Sequence, residues 1–250
     1  AAGYSITVGF LGGSITQGSL ATKPENCYAY RVYRWWQETF PLSEITFINA
    51  GIGGTTSQFG VARVEEDLLT FQPDFVLTEF SVNDENNVHF QETYEGLIRR
   101  ILKSGAALML MNNVCYDTGC SAEEVHLEIA RHYCLPSVSM KPTLYAALLR
   151  REMQNRDITP DDLHPNDRGH ELVAMVICHL LESIRWAPWE KDPEELLPAP
   201  LTLNRYEGSR RYQNSNSVPI CHGFVPDEAP QNHITEMFRH GFTAWKKGST

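Results

Sequence analysis

Five short apolar runs recur along the chain, at residues 6–11, 45–50, 75–80, 106–111 and 135–140, and helical segments lie between and after them. Runs this apolar have no polar face to turn to solvent, so each must be covered on both sides. Strands joined through helices run parallel, because a parallel pair needs a long crossover, and the crossover helices supply the two covers. The alternation predicts an α/β fold: a three-layer α/β/α sandwich with a five-stranded, mostly parallel, flavodoxin-like sheet. Right-handed crossovers restrict the topology further. Residues 27–40 are rich in aromatics and read as a helix. Val61, Val64 and Leu68 have helical spacing, and Tyr94, Leu97, Ile98, Ile101 and Leu102 follow an i, i+3, i+4, i+7, i+8 pattern. Ser121 and Glu124 have the spacing of a capping box that opens the next helix. A helix is predicted from 141 to about 155, and a last one over 167–183, with Val173, Val176, Ile177, Leu180, Leu181 and Ile184 on one face.

Near residue 185 the character changes. Trp186-Ala-Pro-Trp189 opens a Pro-rich stretch with Pro193, Pro198 and Pro200, and no sustained periodicity follows up to Thr250. The tail keeps Trp, Phe and Tyr. Residues 1–185 are therefore expected to form the main domain. Residues 186–250 are expected to be an aromatic-containing extension, either packed on it or leading to a further domain.

Charge narrows the partners. A formal net charge of -10 argues against nucleic acid, whose phosphates need a basic face. No run approaches the roughly 18 apolar residues of a membrane span. The cysteines (Cys27, Cys115, Cys120, Cys134, Cys178 and Cys221) form no C-x-x-C pair, and most lie in apolar runs as small buried hydrophobes. Cys115 and Cys120 are spaced either for a local bridge or as two reduced thiols. Unpaired cysteines and the lack of a recognisable signal peptide lean towards the cytoplasm. A start at Ala1 rather than Met leaves a trimmed chain as the alternative.

The first strand ends in Gly12-Gly13-Ser14-Ile15-Thr16-Gln17-Gly18, which places a hydroxyl at the carboxyl edge of the sheet, where open α/β sheets bind ligands. Ser14 reads either as a helix-capping serine or as a reactive hydroxyl. The stretch is not a G-x-S-x-G elbow, because Thr16 stands where that motif needs glycine. It is neither a phosphate loop nor a dinucleotide fingerprint. Partners for Ser14 must come from elsewhere, and three blocks offer them. Asn49-Ala-Gly-Ile-Gly-Gly54-Thr-Thr-Ser57 follows the second strand, and its glycines can turn a backbone N–H toward a ligand. Ser81-Val82-Asn83-Asp84 follows the third. Asp161-Asp162-Leu163-His164-Pro165-Asn166 precedes the last helix. There Pro165 keeps His164 out of helical geometry, and Asp161 can accept a hydrogen bond from the imidazole. Asp162, Asp84 and His170 read as structural. Of Tyr28, Tyr30, Tyr33, Trp35 and Trp36, most are expected in the core, with one or two at the edge of a sugar-binding cleft.

These four blocks, in this order, resemble the SGNH hydrolase superfamily, the GDSL-type esterases and lipases. The resemblance covers about residues 5–185. Gly13 stands where many members carry an acidic residue, and Ser81 where a glycine is common. The resemblance implies that Ser14 is the nucleophile, His164 the general base and then acid, and Asp161 the residue orienting His164. It implies an oxyanion hole of the Ser14 N–H, the Gly54 N–H (with Gly53 as the neighbouring alternative) and the Asn83 side-chain amide. No metal or cofactor is called for. The Gly-Gly-Ser-Ile-Thr and Ser-Val-Asn-Asp forms are most similar to bacterial members that deacetylate carbohydrates, some of which carry a carbohydrate-binding domain. The resemblance thus implies an acetylesterase acting on acetylated mannan or xylan oligosaccharides. A short-chain lipase or thioesterase, and a non-catalytic glycan-binding module, are the competing functions.

Overall fold

The computed structural model describes residues 3–188, 197–212, 216–217, 222, 224–227 and 241–244. The five apolar runs form one sheet: β1 (Ile6–Gly12), β2 (Ile45–Gly51), β3 (Phe75–Glu79), β4 (Ala107–Asn112) and β5 (Ser137–Ser139). Its order is β2-β1-β3-β4-β5 and every pairing is parallel. The helices between and after them are α1 (Ser14–Gln17), α2 (Tyr28–Thr39), α3 (Ser57–Asp67), α4 (Val88–Lys103), α5 (Glu123–His132), α6 (Ala146–Leu149), α7 (Asn155–Ile158) and α8 (Asp167–Trp186). Side chains alternate across the sheet and so divide the core in two. Val8, Phe10, Leu77, Met109 and Met111 face α2 and α8. Leu11, Val76, Leu108 and Leu110 face α3, α4 and α5. Leu97, Ile98 and Ile101, read from their spacing, are fully buried on α4. Each contributes about 1.5–3 kcal/mol relative to exposure.

Two expectations change. The helix expected over 141–155 is broken into a wide turn at Lys141–Tyr145, α6, and the separate α7. Arg151 adopts φ 58, which ends the helical path. The 121–124 capping box does not form. Ala122 is the N-cap residue, its N–H held by Ser81 O at 2.7 Å, and the Ser121 carbonyl accepts Asn86 Nδ2 at 2.9 Å. These tertiary bonds set where the helix starts. The aromatics of α2 pack on the sheet and on one another: Tyr30 and Tyr33 against Phe47, Trp36 against Phe40 and Phe75.

The chain divides into two compact units, residues 1–209 and 210–250. The first runs past 185, because residues 197–209 are strapped to α4. Glu95 accepts the backbone N–H groups of Leu201 and Thr202, Glu92 pairs with Arg205 at 2.6 Å, and Arg99 pairs with Glu207 at 2.9 Å. In the second unit β6 (Phe224–Asp227) pairs antiparallel with β7 (Gly241–Ala244), strands too short to show a period in the sequence. Trp189, Pro193 and Cys221 lie outside the described residues. The other five cysteines, Cys115 and Cys120 among them, are free thiols. No helix among the described residues is long and apolar enough to cross a membrane.

Candidate active site

The carboxyl ends of β1, β2 and β3 meet the loop before α8 at one place. β1 ends in a turn tight enough to need glycine: a Cβ on Gly12 would lie 2.6 Å from the Glu79 carbonyl, and one on Gly51 would lie 2.2 Å from the Gln17 nitrogen. The turn makes Ser14 the first residue of α1 rather than its cap, and its hydroxyl caps nothing. Instead Ser14 Oγ lies 2.8 Å from His164 Nε2, across 150 residues of sequence. On the other side of the ring, His164 Nδ1 lies 2.6 Å from Asp161 Oδ2. Asp161 Oδ1 accepts the backbone N–H groups of His164 at 2.7 Å and Leu163 at 3.1 Å. Partial burial works to raise the Asp161 carboxyl, but the hydrogen bonds from His164 and Leu163 outweigh it and hold it down at about 2. Asp161 is thus a carboxylate throughout the neutral range.

The Ser14 N–H, the Gly53–Gly54 turn and the Asn83 side chain lie around the start of α1. The Ser14 N–H opens α1 and has no intrahelical acceptor. The loop after β2 passes over the serine: a Cβ on Gly53 would stand 3.5 Å from Ser14 Cβ. Gln17 Oε1 accepts the Gly53 N–H at 2.7 Å, whereas the Gly54 N–H has no acceptor among the described residues. Gly54 adopts φ 70 with open space where a Cβ would be. Asn83 packs its Oδ1 against Gly13, where a Cβ would lie 2.6 Å away, so an acidic residue at position 13 would displace this amide. Asn83 Oδ1 is buried without a hydrogen-bond partner among the described residues, and Nδ2 makes no hydrogen bond to them either.

Sequence reasoning missed the supports. Gln17 lies inside the Gly12–Gly18 stretch, yet its bond to Gly53 could not be read from that stretch. Asp84, read as structural without a partner named, is buried and accepts the Ser57 N–H at 2.9 Å and His126 Nε2 at 3.1 Å, with His126 stacked on Tyr94. Asp162 stands at φ 68, holds Asn155 and Arg156, and accepts the Tyr116 N–H through its carbonyl at 2.6 Å. His170 is structural: it accepts the Tyr28 N–H at Nδ1, and burial lowers it to about 4. Among the described residues, no group of three or more His, Cys, Asp or Glu side chains is arranged to hold a metal ion.

A family model described as the GDSL-like Lipase/Acylhydrolase family matches residues 10–172. Among solved structures, a two-domain esterase (CEX) active on acetylated mannans is 56% identical over 99% of this chain, with a TM-score of 0.91. The same esterase co-crystallised with mannopentaose is 56% identical over 99% of this chain, with a TM-score of 0.89. The chain spans about two thirds of that esterase, 67% and 66% in the two structures. A catalytic mutant of Axe2, an acetylxylan esterase from Geobacillus stearothermophilus, is 21% identical over 71% of this chain and 94% of its own, with a TM-score of 0.60, a likeness of fold. No curated protein matches the chain.

Proposed function

Since the chain belongs to the GDSL-like lipase/acylhydrolase family and is a carboxylic ester hydrolase, we propose that it removes O-acetyl groups from carbohydrates such as acetylated mannan or xylan oligosaccharides. The observation that carries the chemistry is the unbroken line Ser14–His164–Asp161 at 2.8 and 2.6 Å. The likeness to the acetylated-mannan esterase supports the substrate class.

His164 Nε2 takes the Ser14 hydroxyl proton as Oγ bonds to the acetyl carbon. The carbonyl π pair moves onto oxygen, and the N–H groups of Ser14 and Gly54 with the Asn83 amide stabilise that charge. Collapse breaks the bond to the sugar oxygen, which receives the proton from His164. Water, deprotonated by His164, then attacks the acetyl-serine. Its proton returns to Ser14 Oγ as acetate leaves. Asp161 holds the imidazole with its proton on Nδ1 and stabilises the imidazolium at each transfer.

Initial rates on the acetate, butyrate and octanoate esters of 4-nitrophenol, together with acetate release from acetylated mannan and xylan oligosaccharides, test the proposal. The acetate ester is expected to exceed octanoate by at least about tenfold in kcat/KM, because a site shaped for acetyl gains little from added methylenes. Octanoate as the best substrate, with no acetate released from either glycan, would point to a lipase or thioesterase instead. Asn83→Ala is expected to lower kcat by about 10²–10³-fold with KM within a few-fold, since its amide acts on charge that develops only in the transition state. Equal kcat in the variant would remove Asn83 from the oxyanion hole.

A further inference from the structure

Beneath the turn that carries Asn83 lies a fully buried carboxyl, Glu79, the last residue of β3. It serves both halves of the site. Its backbone carbonyl accepts the Gly13 N–H at 3.3 Å, on the nucleophile side. Its side-chain Oε1 accepts the Ser81 N–H at 3.1 Å and lies 3.0 Å from Ser81 Oγ, on the oxyanion side. Ser81 in turn joins the end of β4: its Oγ accepts the Asn113 N–H at 2.7 Å and lies 2.9 Å from the Asn113 carbonyl.

A hydroxyl has one proton to give. Were Glu79 ionised, Oε1 would keep the Ser81 N–H, but Ser81 Oγ would face both the anionic Oε1 at 3.0 Å and the Asn113 carbonyl at 2.9 Å with one proton for the two. Asn113 O has no other donor among the described residues. Either Asn113 O would go without a donor, or the Ser81 Oγ lone pairs would face the carboxylate with no proton between them, and both arrangements are costly when buried. A proton on Glu79 removes the conflict. Glu79 Oε1–H donates to Ser81 Oγ, Ser81 Oγ–H donates to Asn113 O, and the Asn113 N–H donates back to Ser81.

The surroundings agree with a neutral acid. The titratable groups set against Glu79 are Tyr28 from α2, Tyr94 from α4, Tyr116 after β4, and Asp84 on its own turn. None is a cation. His126 of α5 is bonded to Asp84, and the buried Arg63 of α3 donates to the Gly12 and Ala50 carbonyls. Burial first, with Asp84 adding to it, raises the Glu79 carboxyl to about 7 against the hydrogen bonds from Ser81 and Val82, which work to lower it.

We propose that Glu79 is a positioning residue for the acyl-transfer site: as a neutral acid it completes a Glu79–Ser81–Asn113 chain that holds the Asn83 turn, and its ionisation breaks that chain. The inference rests on the function proposed above for what the turn does, but not for the proton on Glu79. It also accounts for serine at position 81, since glycine could not link the acid to Asn113.

The test measures kcat and KM on 4-nitrophenyl acetate from pH 5.5 to 9, and Tm from pH 4.5 to 8.5, for the wild type, Glu79→Gln and Ser81→Ala. Glutamine has no carboxyl to ionise, so the bonds its amide makes to Ser81 are the same at every pH. Glu79→Gln is therefore expected to lose a wild-type decline in kcat on the alkaline side near pH 7, whatever its kcat at pH 6. Ser81→Ala is expected to lower kcat about 10–100-fold with KM little changed, because a displaced donor costs rate rather than ground-state binding. The folded protein binds this proton more tightly than the unfolded chain. Its stabilisation is complete below the ordinary carboxyl value of 4.5 and is lost as pH rises through about 7. Tm of Glu79→Gln minus Tm of the wild type should accordingly climb between those values and then level. Identical alkaline limbs in wild type and Glu79→Gln, or a pH-independent Tm difference, would overturn the proposal. So would a Ser81→Ala enzyme with wild-type kcat, which decides the matter if Glu79→Gln does not fold. A wild type without esterase activity would instead sink the proposed function, and the Tm difference would still report on Glu79.

Discussion

Ser14→Ala is expected to abolish ester hydrolysis, lowering kcat by about 10⁴–10⁶-fold while the protein folds as before. The size of the effect follows from what is removed. Without Oγ no acetyl-serine can form, and His164, left 2.8 Å from where Oγ stood, has no proton to take. What survives is the oxyanion donors acting on a water of the bulk, which leaves slow residual turnover. The structural cost is small, since Ser14 Oγ caps no helix and bonds only to His164 among the described residues. The measurement is steady-state turnover of 4-nitrophenyl acetate beside a circular dichroism melt. A folded Ser14→Ala protein with wild-type turnover would mean that the hydrolytic centre lies elsewhere.

Asp161→Asn is expected to lower kcat by roughly 10³–10⁴-fold with KM little changed. The two oxygens of Asp161 have different tasks, and asparagine cannot perform both. Oδ1 accepts the backbone N–H groups of Leu163 and His164, while Oδ2 accepts the proton on His164 Nδ1. If asparagine keeps its oxygen on the backbone, its NH2 faces Nδ1 and drives the ring to carry its proton on Nε2, where it cannot accept from Ser14. If the amide turns over, its NH2 opposes two backbone donors and the loop shifts. The pH dependence separates this from a loss of charge alone. The folded value of about 2 lies below the ordinary 3.8, so the contribution of Asp161 to stability is present above the ordinary value and is lost as pH falls through about 2. The wild type should therefore show no activity limb from Asp161 between pH 5 and 8. The defect of Asp161→Asn should persist across that range. A defect that vanishes at pH 8 would argue that Asp161 acts only by raising the basicity of His164.

The layers of this protein were legible because periodicity is a local property. A run such as Phe75–Glu79 has apolar residues facing both sides, and helical spacing such as Leu97, Ile98 and Ile101 marks one buried face. Boundaries were less legible where tertiary bonds compete with local preference. The Ser81–Ala122 bond moved the start of α5, and the broken path through Arg151 ended a helix that composition alone would continue.

The sequence by itself determined the five-stranded parallel sheet and the four blocks that meet at its carboxyl edge. Residue types sufficed for that, because strand ends and chain order dictate which loops share an edge. Only the tertiary structure decided how protons and donors are shared there. Gln17 engages Gly53 and leaves Gly54 free, Gly13 makes room for Asn83, and Ser81 ties Glu79 to Asn113. Each depends on distances of about an ångström between segments remote in sequence, and on burial that moves a carboxyl from its ordinary 4.5 to about 7. No local pattern encodes either quantity, since both are set by which groups surround an atom once the strands have paired.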